Sequence, residues 1–187
     1  MSENSTPRPK TKIFPAGGLC IGLIVGFYLL MSGICAFNLE KIRYQAVHQS
    51  PKEKKPVELD GIIFGSLLDA IAYKKEQEVK ELAPWILMIN EGAIFPLLVI
   101  GFGGGMVGGS SRKIIQWIKN NDYSLWFFWI LLGGVCGILS CIIFAKLTLE
   151  KIIDVNMIFL LILSILGGLA PEEAVERFQN KAKQVAE

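Results

Sequence analysis

Residues 100–112 read I-G-F-G-G-G-M-V-G-G-S-S-R, with six glycines in the nine positions 101–109 and no charge before Arg112. In water this glycine density would disfavour a helix, because each glycine costs about 1 kcal/mol relative to alanine. In a bilayer the backbone has no water to bond, so the helix persists, and its small residues allow close contact with another helix. The stretch therefore predicts a membrane helix that packs tightly against a neighbour.

The chain contains four runs without a charged side chain, at 13–39, 92–111, 123–145 and 155–171. A helix needs about 20 apolar residues to cross the hydrocarbon of a bilayer, with about 17 as the lower limit. We therefore expect an all-α integral membrane protein with four transmembrane helices, the last of them short. The expected spans are about 14–37, 92–111, 123–145 and 155–170.

Three of these runs carry glycines at four-residue spacing, which places them on one face of a helix. The stripes are Gly18, Gly22 and Gly26; Gly101, Gly105 and Gly109; and Gly133 and Gly137. We call such a stripe a glycine seam. Close approach of two helices needs small residues at this spacing, so the seams predict helix packing; chance in a chain with 19 glycines is the alternative. Gly104 and Gly108 form a second stripe, which predicts a second partner for the same helix.

The polar segments complete the expected organisation. Residues 1–13 form a polar tail that we expect to be disordered, and 171–187 are expected to form a polar C-terminal helix. The longest polar segment, 38–84, contains the stretch Leu59–Tyr73, which is apolar but too short to cross a membrane. We expect an amphipathic helix there, lying on the membrane surface or packing on the bundle.

Several function classes find no support in the residues. The net charge is +2 without a basic stripe, which argues against a nucleic-acid partner. The single histidine, His48, has no cysteine or carboxylate pair at ligand spacing, so we expect no metal site. The four cysteines all lie in apolar runs, where a thiol acts as a small packing residue. We find no catalytic motif and expect no catalytic residue, no cofactor and no enzyme activity.

Asn90 and Glu91 are the polar residues of most interest, because they precede the glycine-rich run directly. A carboxylate within the bilayer marks an ion path or a partner contact. An interfacial position, in reach of the headgroups, is favoured by the closeness of Glu91 to the end of its run. Ser32, Ser140 and Ser164 are candidates for an internal polar track, although mid-helix serines more often bond their own backbone.

The glycine-rich stretch resembles, over about a dozen residues, the signature G-G-x-x-G-A-x-x-R-Y of the small four-span fluoride channels. The matching positions are Gly104, Gly105, Gly108 and Arg112. Gly109 stands in place of the alanine and Lys113 in place of the tyrosine, and the stretch falls in the second apolar run, where that family has it in the first. The chain is therefore not assigned to that family.

These observations predict a non-enzymatic multi-pass membrane protein, either an oligomeric membrane component or an accessory subunit of a larger membrane complex. The expected partners are the lipid bilayer and either a second copy of the chain or another membrane protein. The alternative is an ion channel or pore formed by an oligomer, with Asn90 and Glu91 on its path. The bacterial plasma membrane is the default location, and the balance of lysine and arginine between the two sides favours cytoplasmic termini.

Overall fold

The computed structural model describes residues 13–50, 54–89, 94–120, 125–147 and 157–170, and these are mostly helical. The described part contains six helices and one two-stranded hairpin. In chain order they are α1 (Ile13–His48), β1 (Val57–Leu59), β2 (Ile62–Phe64), α2 (Leu67–Leu82), α3 (Pro84–Met88), α4 (Ile94–Asn120), α5 (Trp126–Leu147) and α6 (Met157–Leu169). The predicted tail before Ile13 and the predicted helix 171–187 lie outside the described residues.

Three of the described helices are long and apolar enough to cross a membrane: α1, α4 and α5. The fourth predicted span coincides with α6, which is apolar but has only 13 residues. At about 1.5 Å per residue this helix is about 20 Å long, less than the roughly 30 Å of a typical hydrocarbon core. The structure thus gives a mostly helical fold with three apolar helices that are long enough to cross a membrane and one that is shorter.

Helix α1 extends well beyond the predicted end of the first span at residue 37. It continues through Glu40, Lys41 and Arg43 and ends at His48. No glycine or proline lies between Gly33 and His48, so nothing in the local sequence breaks the helix where its apolar run ends. The polar segment therefore begins as a helical continuation of α1 instead of a loop.

The predicted helix over Leu59–Tyr73 is wrong in its first half. Residues 57–64 form an antiparallel hairpin in which Val57 pairs with Phe64 and Leu59 with Ile62. Its turn residues, Asp60 and Gly61, have φ angles of +53° and +77°. Positive φ at both positions is the requirement of the tight turns that join hairpin strands, and Asp-Gly meets it with little strain.

Helix α2 begins after the hairpin, where the Ser66 hydroxyl accepts a hydrogen bond from the backbone N–H of Asp69 at 3.2 Å. This is a regular N-cap. The helix lies antiparallel to the C-terminal part of α1. Glu76 contacts Arg43, whereas Leu82, which comes later in the chain, contacts Tyr28, which comes earlier. Of the two positions predicted for an amphipathic helix here, packing on the bundle is therefore the one observed.

Helix α4 lies at the centre of the bundle. It contacts α1, α5 and α6, and its apolar part is more deeply buried than that of α1 or α5. Ile100 of α4 is fully buried with Leu30 and Phe37 of α1, Cys141 of α5 and Leu160 of α6. The glycine-rich helix is thus the one that all three other apolar helices share.

Candidate functional site

The site of most interest is the glycine-rich part of α4, because three helices meet there. Gly101, Gly105 and Gly109 all face α5. A side-chain carbon placed at Gly101 would lie 2.8 Å from the Cα of Ile138, and one at Gly109 would lie 2.7 Å from the carbonyl oxygen of Trp129. Side-chain carbons do not approach other atoms this closely, so the present spacing of α4 and α5 needs glycine at both positions.

The glycines of α5 face back onto the same stripe. A carbon placed at Gly133 would lie 2.5 Å from the carbonyl oxygen of Gly105 and 3.0 Å from the Cα of Gly109. Gly137 likewise faces Gly101 and Gly105. The structure therefore brings the predicted stripes of α4 and α5 together, backbone against backbone.

The stripe on α1 meets its neighbours in a different way. Gly26 lies against α4, where an added carbon would be 3.0 Å from the carbonyl oxygen of Gly103. Gly22 faces the side chains of Ser110 and Ile130, and Gly18 faces the ring of Trp126. Only Gly26 is thus placed for close backbone contact, whereas Gly18 and Gly22 make room for side chains.

The second stripe on α4, Gly104 and Gly108, faces α6. Gly104 lies against the side chain of Ser164, and Gly108 against the backbone of Ile165 and Gly168. Gly168 was not among the residues predicted for packing, although it also faces Gly105. Two glycines in a row, Gly167 and Gly168, were the available sequence signal, but they lack the four-residue repeat.

Two basic residues in the C-terminal part of α4 are partly or fully buried. Arg112 donates a hydrogen bond to the carbonyl oxygen of Leu169, at the end of α6. The last carbonyls of a helix have no partner within that helix, so this bond satisfies one of them. Lys113 is only 2% exposed, and its ammonium donates to the Gln116 side chain at 3.3 Å. Arg112 thus ties α4 to α6, whereas the bond of Lys113 to Gln116 lies within α4.

Three serines were candidates for an internal polar track. The hydroxyl of Ser140 donates to the carbonyl oxygen of Cys136, and that of Ser164 to the carbonyl oxygen of Leu161, both at 2.9 Å. Ser32 is fully buried, and its hydroxyl has no partner among the described residues. Two of the three hydroxyls are therefore bonded to the backbone of their own helix, as serines in apolar helices commonly are.

The predicted polar pair Asn90 and Glu91 lies outside the described residues, between α3 and α4. Its role on an ion path or at a partner contact stays a prediction. Within the described ranges, no three histidine, cysteine, aspartate or glutamate side chains cluster closely enough to hold a metal ion.

A network of ion pairs connects the extension of α1 to α2, and the sequence reasoning did not single it out. The Arg43 guanidinium lies 2.8 Å from the Glu40 carboxylate and 2.9 Å from that of Glu76, which also pairs with Lys80 at 2.9 Å. The hydrogen bonds from Lys80 and Arg43 to Glu76 lower the pKa of its carboxyl below the ordinary value. We call the unit formed by residues 38–48 of α1, the hairpin and α2 the head.

No protein-family model, curated protein or solved structure matches the chain.

Proposed function

We propose that this chain is a non-enzymatic, four-span membrane protein that acts as an accessory subunit of a larger membrane complex. Helices α1, α4 and α5 supply three spans, and α6 is proposed as the fourth. The uncharged run around α6 covers residues 155–171, which at about 1.5 Å per residue gives about 25 Å. The contact between Arg112 and Leu169 supports this arrangement, because it places the C-terminal end of α6 beside the residue at which the uncharged run of α4 ends.

The observation that carries the proposal is that the glycine seams are occupied by helices of the same chain. Gly101, Gly105 and Gly109 face α5, Gly104 and Gly108 face α6, and Gly103 faces α1. In membranes, small residues at helix interfaces allow the close packing that replaces the hydrophobic effect. The seams thus support a self-contained bundle, and they leave no glycine stripe of α4 for contact with a second copy.

A partner would therefore meet the outer helix faces or the head. Within the head, α2 is held against α1 by the Arg43 network and by burial of Leu39 and Val79, which are at most 1% exposed and belong to a cluster that includes Val99 of α4. Side chains on its outside, such as Val47 and Ile63, are about three-quarters exposed, at 75% and 76%. A rigid head with exposed apolar side chains is a suitable docking surface for another protein, which favours the accessory-subunit form of the proposal over self-association.

The test is to determine what the chain binds in mild detergent. Native mass spectrometry of the tagged chain is expected to show a second protein in fixed stoichiometry. A photoreactive amino acid at Val47 should crosslink to the same protein, and one at Ile24, on the lipid-facing side of α1, should not. A lone monomer without crosslinks at either site would contradict the accessory role, and a pure homo-oligomer would favour self-association instead.

Apolar helices of this kind are compatible with an integral membrane location. We further propose a bacterial plasma membrane with both termini in the cytoplasm, as the even number of spans and the positive residues near the termini suggest. Labelling of a cysteine at Ile63 by a membrane-impermeant reagent tests the sidedness in intact cells, because this orientation places the head outside. Labelling only after the cells are broken would contradict it.

A further inference from the structure

We infer that residues 82–89, at the junction of α2, α3 and α4, bind the lipid bilayer at the boundary between headgroups and acyl chains. We call this segment the elbow. It reads L-A-P-W-I-L-M-I and contains no charge between Glu81 and Glu91. The inference rests on the proposed membrane insertion of the bundle and adds a second, separate contact with the lipid.

The elbow is fixed to α1 by two hydrogen bonds. The Tyr28 hydroxyl donates to the carbonyl oxygen of Leu82 at 3.0 Å, and the Trp85 indole N–H donates to the Tyr28 oxygen at 3.2 Å. Ile86 is buried between the helices, whereas Met88 is 83% exposed. The elbow therefore holds one apolar side against the bundle and presents another to the surroundings.

Its position along α1 indicates what those surroundings are. The uncharged run 13–39 would be about 40 Å long as a helix, about 10 Å more than a typical hydrocarbon core. Tyr28 precedes Glu40 by twelve residues, or about 18 Å along the helix axis. The elbow thus meets α1 well inside the apolar run, and not where the charges begin.

The exposed apolar surface of α1 ends close to Tyr28, where the elbow is attached. Its exposed large apolar side chains below the head end at Met31, and no residue from 32 to 43 is exposed, since α2, α3 and the bundle cover this part. The lipid-facing set is Ile21, Ile24, Val25, Phe27, Tyr28 and Met31. Leu82 of the elbow, which is 39% exposed, adjoins this apolar surface through its hydrogen bond with Tyr28.

Charges mark the upper limit of the apolar surface. Lys80 and Glu81 directly precede the elbow, and the Lys80 side chain is 49% exposed. Exposed charges do not lie in hydrocarbon, so the bilayer must end at or just below them. Tyrosine and tryptophan favour this boundary, because each ring has an apolar body and a polar group that can be hydrogen-bonded. Tyr28 and Trp85 therefore place the elbow at the interface.

Spin labels at three positions of matched exposure test this inference. In a chain with its native cysteines replaced, single cysteines are placed at Met88 (elbow), Ile24 (lipid face of α1) and Ile63 (hairpin), which are 83%, 68% and 76% exposed. The protein is reconstituted in phosphatidylcholine vesicles, and collisions with oxygen and with a water-soluble nickel chelate are measured by electron paramagnetic resonance. We expect the nickel-to-oxygen collision ratio at Met88 to be several-fold lower than at Ile63, and lowest at Ile24.

The two proposals fail in different ways. If Met88 is as accessible to nickel as Ile63 while Ile24 is protected, the elbow lies in water and this inference is overturned. If all three positions are accessible, membrane insertion of the bundle itself is refuted. The wild-type chain provides a second measurement that needs no substitution. In vesicles of a phosphatidylcholine with a diazirine in its acyl chain, photolysis should label residues 82–89 and 21–31 but not 57–64, and labelling of 21–31 alone would also overturn the inference.

Discussion

The contact between Gly133 and Gly105 gives the sharpest test of the packing of α4 against α5. In the variant Gly133→Ala, the new methyl carbon would lie 2.5 Å from the Gly105 carbonyl oxygen. A carbon and a carbonyl oxygen in favourable contact are about 3.3 Å apart, so the two helices must separate by about 0.8 Å. The nearest atoms belong to the backbone, and no flexible side chain can move aside.

The expected cost follows from this separation. A gap of 0.5 to 1 Å forfeits about a quarter to a half of the dispersion energy between the atoms that it parts. Overpacking in well-packed cores costs about 1–3 kcal/mol, which corresponds to a change of about 5- to 150-fold in an opening equilibrium. Gly17→Ala is the matched control, because nothing lies within 4 Å of a side-chain carbon at Gly17. Both variants add the same methyl group to an apolar helix.

Cys141 provides the assay, since it is fully buried in the cluster that α4, α5 and α6 share. With the other three cysteines replaced, the rate at which a thiol reagent labels Cys141 in detergent reports opening of the bundle. We expect Gly133→Ala to raise this rate by at least about 5-fold, and Gly17→Ala to leave it unchanged. Equal rates in the two variants and the parent would refute the proposed role of the glycine seam.

Four further predictions concern the head, the elbow and the channel alternative. Replacing Glu76 with Gln should lower the free energy of opening of α2, measured by hydrogen exchange, by less than about 1 kcal/mol, because the ion pairs are partly exposed. Glu81→Gln should leave this free energy unchanged. Since the pKa of the Glu76 carboxyl is lowered in the folded chain, its contribution to stability is present at neutral pH and is lost as the pH falls through that pKa. A free energy of opening of α2, obtained from exchange corrected for its intrinsic pH dependence, that is the same at pH 7 and in acid would contradict this. Tyr28→Phe removes both hydrogen bonds to the elbow and should lower the free energy of opening at residues 82–89, measured by hydrogen exchange, by about 1 kcal/mol. Unchanged protection of these residues would contradict this. Liposomes containing the purified chain should show no ion flux, and a flux that Glu91→Gln alters would establish the channel alternative instead.

The apolar helices were predictable because charge is so costly in hydrocarbon that an uncharged run of sufficient length leaves few other structures. Helix ends were not, since the signal for leaving the membrane and the signal for ending a helix differ. The first is a charge such as Glu40, and the second is a glycine, a proline or a cap. Residues 38–48 carry the first without the second, so α1 leaves its apolar run and continues to His48.

The hairpin shows a signal that the prediction of a helix over 59–73 overlooked. Asp60-Gly61 is one of the dipeptides most typical of tight hairpin turns, but the apolar spacing of 59–73 also fits a helix. The stripes of glycines likewise predict close packing without naming the partner. That Gly105 meets both α5 and α6, or that Gly18 accommodates the ring of Trp126, depends on how the helices are arranged in space. Spacing along one helix cannot supply that information.

If the bundle spans a membrane as proposed, the uneven upper edge of its exposed apolar surface has a consequence for how it sits there. On α1 the exposed apolar side chains below the head end at Met31, whereas on the described part of α5 they continue to Ile143. Gly33 packs against Ile100, and the adjacent Gly101 against Ile138, so Ile143 stands about seven residues, or about 10 Å, higher than Met31 along the bundle. A flat bilayer can cover both edges only if the bundle axis leans, and a tilt of about 20° is ordinary for membrane helices. The side of α1, which carries the head, would then rise from the lipid, and the side of α5 would sink into it.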